Sequence, residues 1–322
     1  MSVLGSIYGS AAYTRNALYD RGLLHSRHLE GPVISVGNLS VGGSGKTPFT
    51  ILLGKLLKSR GIKFDVLSRG YGRDTRSVLL VDPSGSPREF GDEPILIART
   101  LQAPVIVGKS RHEAGLFAEQ KFGPQLHILD DGFQHRSLAR DFDIVLVSSR
   151  DMDDGFLPAG RLREPPSSLQ RADAVVTADH LSQTFLLHLN KPVWTIRRGV
   201  VVENSPTRPI VFCGIAQPAL FLSQLRMAGI EPAGEMVFRD HHRYGPRDVQ
   251  SLQKLRDQRQ ANGFITTEKD AINLAERLGS LQPVAVAQVT MELEDSANAV
   301  DTMLRMISSR SPRHEKILSS HE

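Results

Sequence analysis

A mainly parallel, doubly wound α/β sheet with a second, smaller α/β unit across a cleft is predicted by three features of the 322-residue chain. Short apolar runs alternate with longer stretches carrying apolar residues at helical spacing, the pattern of strands joined by crossover helices. A glycine-rich segment separates the first such run from the first periodic stretch, as a phosphate-binding loop requires. A polar stretch with two prolines, Asn204 to Pro209, then precedes a second alternating set, and with Pro192 it predicts a hinge.

Taken in order, residues 1–24 form the first unit. Its first 14 residues carry no charged side chain, and Leu4, Ile7, Tyr8, Ala11 and Leu18 can share one helical face. This amphipathic helix is too short to span a bilayer and lacks the basic start of a secretory signal. It can pack on the body of the protein or lie in a membrane interface, with Tyr8, Tyr13 and its arginines at head-group level. In the core unit, 25–203, Val33, Ile34 and Val36 mark the first strand, and Phe49, Leu52, Leu53, Leu56 and Leu57 the first helix after the loop. Strands are expected at Phe64–Leu67, Val105–Val107, Leu126–Leu129, Ile144–Val147 and Ala174–Thr177, with helices opening at Gly91-Asp92-Glu93-Pro94 and at Ser110. Gly37, Arg69, Gly108 and Asp130 follow strand ends, where ligands of such sheets gather, so they should line one crevice. In the unit 204–322, strands are expected at Ile210–Phe212, Glu235–Phe238, Phe264–Thr266 and Val284–Val286. Helices there should cover Pro218–Met227, Pro246–Leu255, Ala271–Leu278 and Ala297–Met306, leaving a mobile polar tail from Ser308.

The loop runs through Ser40, Val41, Gly42, Gly43, Ser44, Gly45, Lys46 and Thr47. Small residues let successive backbone N–H groups curl around phosphate oxygens, and the following helix points its positive end at the same place. Lys46 would then reach the β- and γ-phosphates of ATP, and the Thr47 hydroxyl would sit on Mg²⁺. Ser40 stands where the usual P-loop pattern has glycine. Asp130 and Asp131 end an apolar strand, where a nucleotide-binding enzyme needs an acid for the metal and where a turn cap is the plainer alternative. Asp92 can be a helix cap. Arg111 opens a helix after a strand, fit for a second phosphate or for surface charge alone. The His241-His242 pair lacks further ligands for zinc and can be a solvated turn or the partner of a general base across the cleft.

Composition narrows little. A net charge of +4 suits an acidic substrate, an anionic membrane or nucleic acid. The single cysteine, Cys213, excludes an internal disulfide and a cysteine zinc cluster. No Asn-Lys-x-Asp motif is present, which argues against a GTPase, and no second lysine near the loop start, which argues against a dimerising switch.

Ser35 to Pro48, Ser68-Arg69-Gly70-Tyr71-Gly72-Arg73, Gly91 to Pro94, Asp130-Asp131-Gly132-Phe133-Gln134-His135, Leu157 to Pro165, Asp240-His241-His242 and Thr266 to Asp270 occur in the order seen in tetraacyldisaccharide 4′-kinases. From about Val33 to Asp270 the chain resembles that family, which also shares Ser40. The resemblance implies an enzyme of lipid A biosynthesis that moves the γ-phosphate of ATP to the 4′-hydroxyl of a tetraacylated glucosamine disaccharide 1-phosphate, forming lipid IVA. It implies Asp130, Asp131 and Glu164 around Mg²⁺ with Thr47, Asp92 and His241 as the pair that takes the hydroxyl proton, and Arg111 as a contact to the acceptor phosphate. Arg69 is expected with Arg111 on the substrate. The acylated acceptor implies work at the lipid surface, on the cytoplasmic face of the inner membrane, through the N-terminal helix, with no nucleic acid and no obligate protein partner.

Overall fold

The computed structural model describes residues 3–178, 189–311 and 314. It carries a 12-stranded sheet in the order β10-β9-β11-β12-β8-β7-β6-β1-β5-β2-β4-β3. In the first half these are β1 Val33–Asn38, β2 Phe64–Ser68, β3 Leu79–Leu80, β4 Val105–Val107, β5 Leu126–Asp130, β6 Phe142–Leu146 and β7 Ala174–Thr177. The second half contributes β9 Pro209–Cys213, β10 Gly234–Val237 and β11 Gly263–Thr267, while β8 Val193–Val202 and β12 Val284–Leu293 lie between the halves. All neighbours pair in parallel except β3 with β4 and β8 with β12.

The buried strands β1, β2, β5 and β6 are covered from end to end, as expected when helices pack on both faces of a parallel sheet. The helices are α1 Val3–Asp20, α2 Lys46–Lys58, α3 Pro87–Phe90, α4 Asp92–Leu101, α5 Arg111–Phe122, α6 Arg150–Asp153, α7 Pro218–Met227, α8 Pro246–Gln258, α9 Glu268–Leu274 and α10 Ser296–Arg310. Phe49, Leu53 and Leu57 of α2 pack with Ile95 and Leu101 of α4, and with Val300, Met303 and Ile307 of α10. The last helix thus returns to the core of the first half.

The doubly wound class is observed, and most expected strands fall within a residue or two of place. Three differences have physical reasons. The ten-residue strand β8 was not expected. Its alternation of buried and exposed residues runs only from Trp194 to Arg197 and gives way to intermediate burial at Arg198, Gly199 and Val200, so it lacks a clean apolar signature. The helix expected at Ala271–Leu278 divides into α9 and a 3-10 turn, Ala275–Leu281, because Ala275 adopts φ 50. The last helix continues through Ser308 to Arg310, where Arg310 bonds Asp173 and the Asp141 carbonyl. Of the expected mobile tail, everything beyond Ser311 except His314 lies outside the described residues.

The stretch 204–209 leads from β8 into β9, and the join between the halves lies before it, within β8. β8 pairs with β7 only from Val193 to Thr195, then with β12 from Ile196 to Val202. β12 pairs with β11 over Val284–Ala287. Between these the sheet narrows to a two-stranded ribbon.

Candidate active site

The loop after β1 turns through Gly42, Gly43 and Gly45, all at positive φ, and α2 starts at Lys46. Asn38, at the end of β1, donates from Nδ2 to Ser44 Oγ at 2.8 Å and fixes the loop from inside. Ser40 bridges Leu162, and Val41 N donates to Arg161 O at 2.8 Å. That position pairs as extended backbone, so it needs no left-handed turn and tolerates serine in place of glycine. Gly37 meets a different demand, since a Cβ there would lie 2.4 Å from Phe133 Cβ.

Lys46 Nζ stands 3.6 Å from Asp131 Oδ1. Arg163 holds both oxygens of the same carboxylate, at 2.8 and 3.1 Å, and also bonds Asn38 Oδ1. Burial pushes Asp131 upward, but Lys46 and Arg163 outweigh it and hold the carboxyl well below its usual range. Asp130 is turned inward, accepting from Thr50 Oγ1 at 3.0 Å and from Ser68 Oγ at 3.4 Å. Burial, then the Glu93 and Asp131 charges, raise Asp130 to about 7. The two neighbouring aspartates therefore differ sharply: one is matched by cations, the other is a buried acid short of positive charge.

Glu164 Oε2 accepts from Asn16 Nδ2 at 2.8 Å and is paired to Arg171 at 2.9 Å. Its Oε1 is buried without a hydrogen-bond partner, an acceptor suited to a cation or to water. Among the described residues no group of three or more His, Cys, Asp or Glu is gathered as a metal cluster. Magnesium commonly takes one or two carboxylates and fills its shell with water and substrate phosphate. The hard oxygens of Thr47, Asp130 and Asp131, near Lys46, fit that habit.

Asp92 opens α4 and is 4% exposed. His241 Nδ1 lies 3.0 and 2.8 Å from its two oxygens, Asn273 Nδ2 donates to it at 2.9 Å, and Glu93 N at 2.8 Å. His241 reaches across because its backbone is left-handed, φ 54. Burial raises Asp92, but the His241 bond and charge, followed by Lys269 and Asn273, bring it below its usual range. Burial lowers His241, and Asp92 outweighs that to raise it. His242 turns the other way: its Nε2 lies 3.1 Å from Asp248, and its ring stacks on Phe238 with centroids 4.6 Å apart. Asp92 and His241 line a cavity of about 310 Å³ with Tyr71, Arg243 and Asn273.

Arg111 is 5% exposed, its Nη1 donates to the carbonyls of Gly108 and Lys109, and its Nε has no partner. Burial first, and then the Arg69 charge, lower it to about 10, while Asp131 and Asp130 act the other way. Arg69 and Arg111 are thus near each other and near the aspartate pair.

Arg163, Asn273, Arg198 and the Lys269–Glu93 pair are site residues to which the sequence alone assigns no separate role. Arg163 and Lys269 lie in quoted motifs and could have been found there. Asn273 and Arg198 carry no local signal, because only the tertiary fold brings them to the site.

A family model described as Tetraacyldisaccharide-1-P 4′-kinase matches residues 1–308. A tetraacyldisaccharide 4′-kinase of Koribacter versatilis is 47% identical over 320 residues, covering 96% of this chain and 99% of that protein. One from Aquifex aeolicus is 38% identical, covering 83% of this chain and 87% of that protein. A crystal structure of LpxK from Aquifex aeolicus in complex with ATP superposes with a TM-score of 0.76 at 34% identity, covering 94% of this chain and 97% of that one.

Proposed function

The chain belongs to the tetraacyldisaccharide-1-P 4′-kinase family, and from that premise we propose how its residues divide the work. The activity is ATP-dependent transfer of the γ-phosphate to the 4′-hydroxyl of tetraacyldisaccharide 1-phosphate, which forms lipid IVA in lipid A biosynthesis.

Loop residues 40–47 bind the nucleotide phosphates, with Lys46 neutralising the transferring group. Asp92 accepts the hydroxyl proton, and His241 orients the carboxylate from the opposite half. Phosphoryl transfer passes through a loose transition state in which little basicity is needed and alignment dominates. A carboxylate held by three donors suits that demand better than a strongly basic group would. Thr47, Asp130 and Asp131 would hold Mg²⁺, which when bound neutralises charge on the phosphates; Glu164 would support it through water. Arg111 and Arg69 hold an anionic group of the acceptor, their mutual repulsion being relieved when phosphate arrives.

We place the enzyme at the cytoplasmic face of the inner membrane, as a peripheral protein. No helix among the described residues is long and apolar enough to cross a membrane. In α1, Gly5, Gly9 and Asn16 face inward, while Val3, Leu4, Ile7 and Tyr13 are more than half exposed, at 78, 63, 61 and 70%. Small residues against the body and large apolar ones outward support a helix that packs by one face and offers the other to a membrane interface.

The observation that carries the proposal is the 2.8 Å contact between His241 and Asp92, joining the two halves beside a cavity. Transfer of labelled γ-phosphate to a defined tetraacyl disaccharide 1-phosphate tests it. Asp92→Asn should lower kcat by ~10²–10⁴-fold with ATP affinity kept. Weakened ATP binding with unchanged kcat would move Asp92 out of the proton transfer.

A further inference from the structure

We propose that Arg198, on the ribbon strand β8, is a binding residue for the β- and γ-phosphates of ATP. Along β8, Trp194 and Ile196 point into the first-half core with α2, and Arg198 follows at the same period. Its guanidinium therefore arrives over the start of α2. Nη2 donates to Ser44 O at 2.6 Å, and a Cβ at Gly45 would lie 2.9 Å from the same nitrogen. The loop is approached from this side by the second half as well: Cβ atoms at Gly42 and Gly43 would come within 3.3 Å of Ala216 and 2.4 Å of Gln217. Gly45 is thus required by a side chain as well as by a turn.

Charge decides what this contact is for. A helix N-terminus carries partial positive charge and favours anions. Arg198 and Lys46 bring two more positive charges to that end of α2. With Asp131 beside Lys46 as the neighbouring carboxylate, this convergence suits a polyphosphate chain, where a guanidinium can engage two oxygens at once. Arg198 also sits where the ribbon joins the halves, so phosphate binding reaches the element that sets their spacing.

The inference rests on loop 40–47 being the ATP site. The test is binding of ATP and of AMP to the full chain with magnesium and without acceptor, for wild type, Arg198→Gln, Arg198→Lys and Lys46→Ala. Arg198→Gln should weaken ATP by about 10- to 100-fold, the size of a lost charge-assisted contact, and leave AMP nearly unchanged. Arg198→Lys, which keeps the charge and tests the case in which the glutamine variant does not fold, should fall between. ATP binding by either variant equal to wild type overturns the proposal, as does equal weakening of ATP and AMP, which marks Arg198 as a loop prop. If Lys46→Ala keeps full ATP affinity, the loop assignment itself fails and the inference falls with it.

Discussion

Two groups show how the same carboxylate–imidazole contact is used differently according to place. Beside the cleft, His241 lowers Asp92, so its loss leaves burial opposed only by Lys269 and Asn273 and raises that carboxyl. A base works above its pKa, so His241→Gln should move the acid limb of the kcat profile to higher pH, readable by rate measurements in overlapping buffers. Near the starts of the interior strands β5 and β2, buried His127 lies 2.8 Å from Asp65 and 3.3 Å from Glu119. Burial lowers His127, but the Asp65 and Glu119 charges outweigh it and raise it from 6.5 to about 9. A raised histidine stabilises the fold fully below its unfolded value, and that contribution fades as pH climbs through the folded one. The melting temperature should therefore fall between about pH 6.5 and 9. His127→Gln should flatten that fall and cost about 3–5 kcal/mol, because Asp65 is left buried and unpaired. A melting curve as steep in pH as wild type would contradict the assignment.

The loop and α1 are elements whose packing explains their sequence. Gly37→Ala should cost about 1–3 kcal/mol through overpacking against Phe133 and impair transfer with it, measured by thermal melts and turnover. α1 is tied to the site it serves: Arg15 donates to Gln134 O, Arg136 bonds Asp20, and Asn16 holds Glu164. Ile7→Asp should reduce flotation with anionic vesicles without lowering the melting temperature, since the side chain is exposed. Unchanged flotation would return α1 to a packing role. Much of this was legible in advance, because Gly-Lys-Thr at a strand-to-helix junction and Asp130-Asp131 at a strand end are local signals. The partner of Asp92 was open between two histidines on local grounds; the left-handed backbone at His241 decides it, and no residue pattern announces that conformation. β8 escaped notice for a related reason: Arg198 holds an inward position of the strand because it bonds Ser44 O of the loop, a contact that only the tertiary fold supplies.

At the scale of the whole molecule, the second half was expected beyond residue 204, and its alternating elements are there. Its attachment was less legible: α10 crosses back to pack on α2, and Arg243 spans the cleft to Gly72 O at 2.6 Å and Asp74 at 2.9 Å. Long-range contacts of that kind leave no periodic trace. The positive balance of +4 should make vesicle association salt-sensitive, falling as ionic strength rises. Amide exchange within Ile196–Val202 should slow when nucleotide and acceptor are both bound, because both would load the ribbon; unchanged exchange would argue against coupling between the halves.

The narrowing of the sheet to β8 and β12 constrains how those halves can travel. An antiparallel pair in fixed register bends and twists readily but does not slide, because slipping by one residue would turn every side chain to the wrong face. A change in the spacing of the halves would have to run through that ribbon, and would disturb the His241–Asp92 and Arg198–Ser44 contacts together. On the proposed roles, catalytic alignment and nucleotide grip would then be two readings of a single angle.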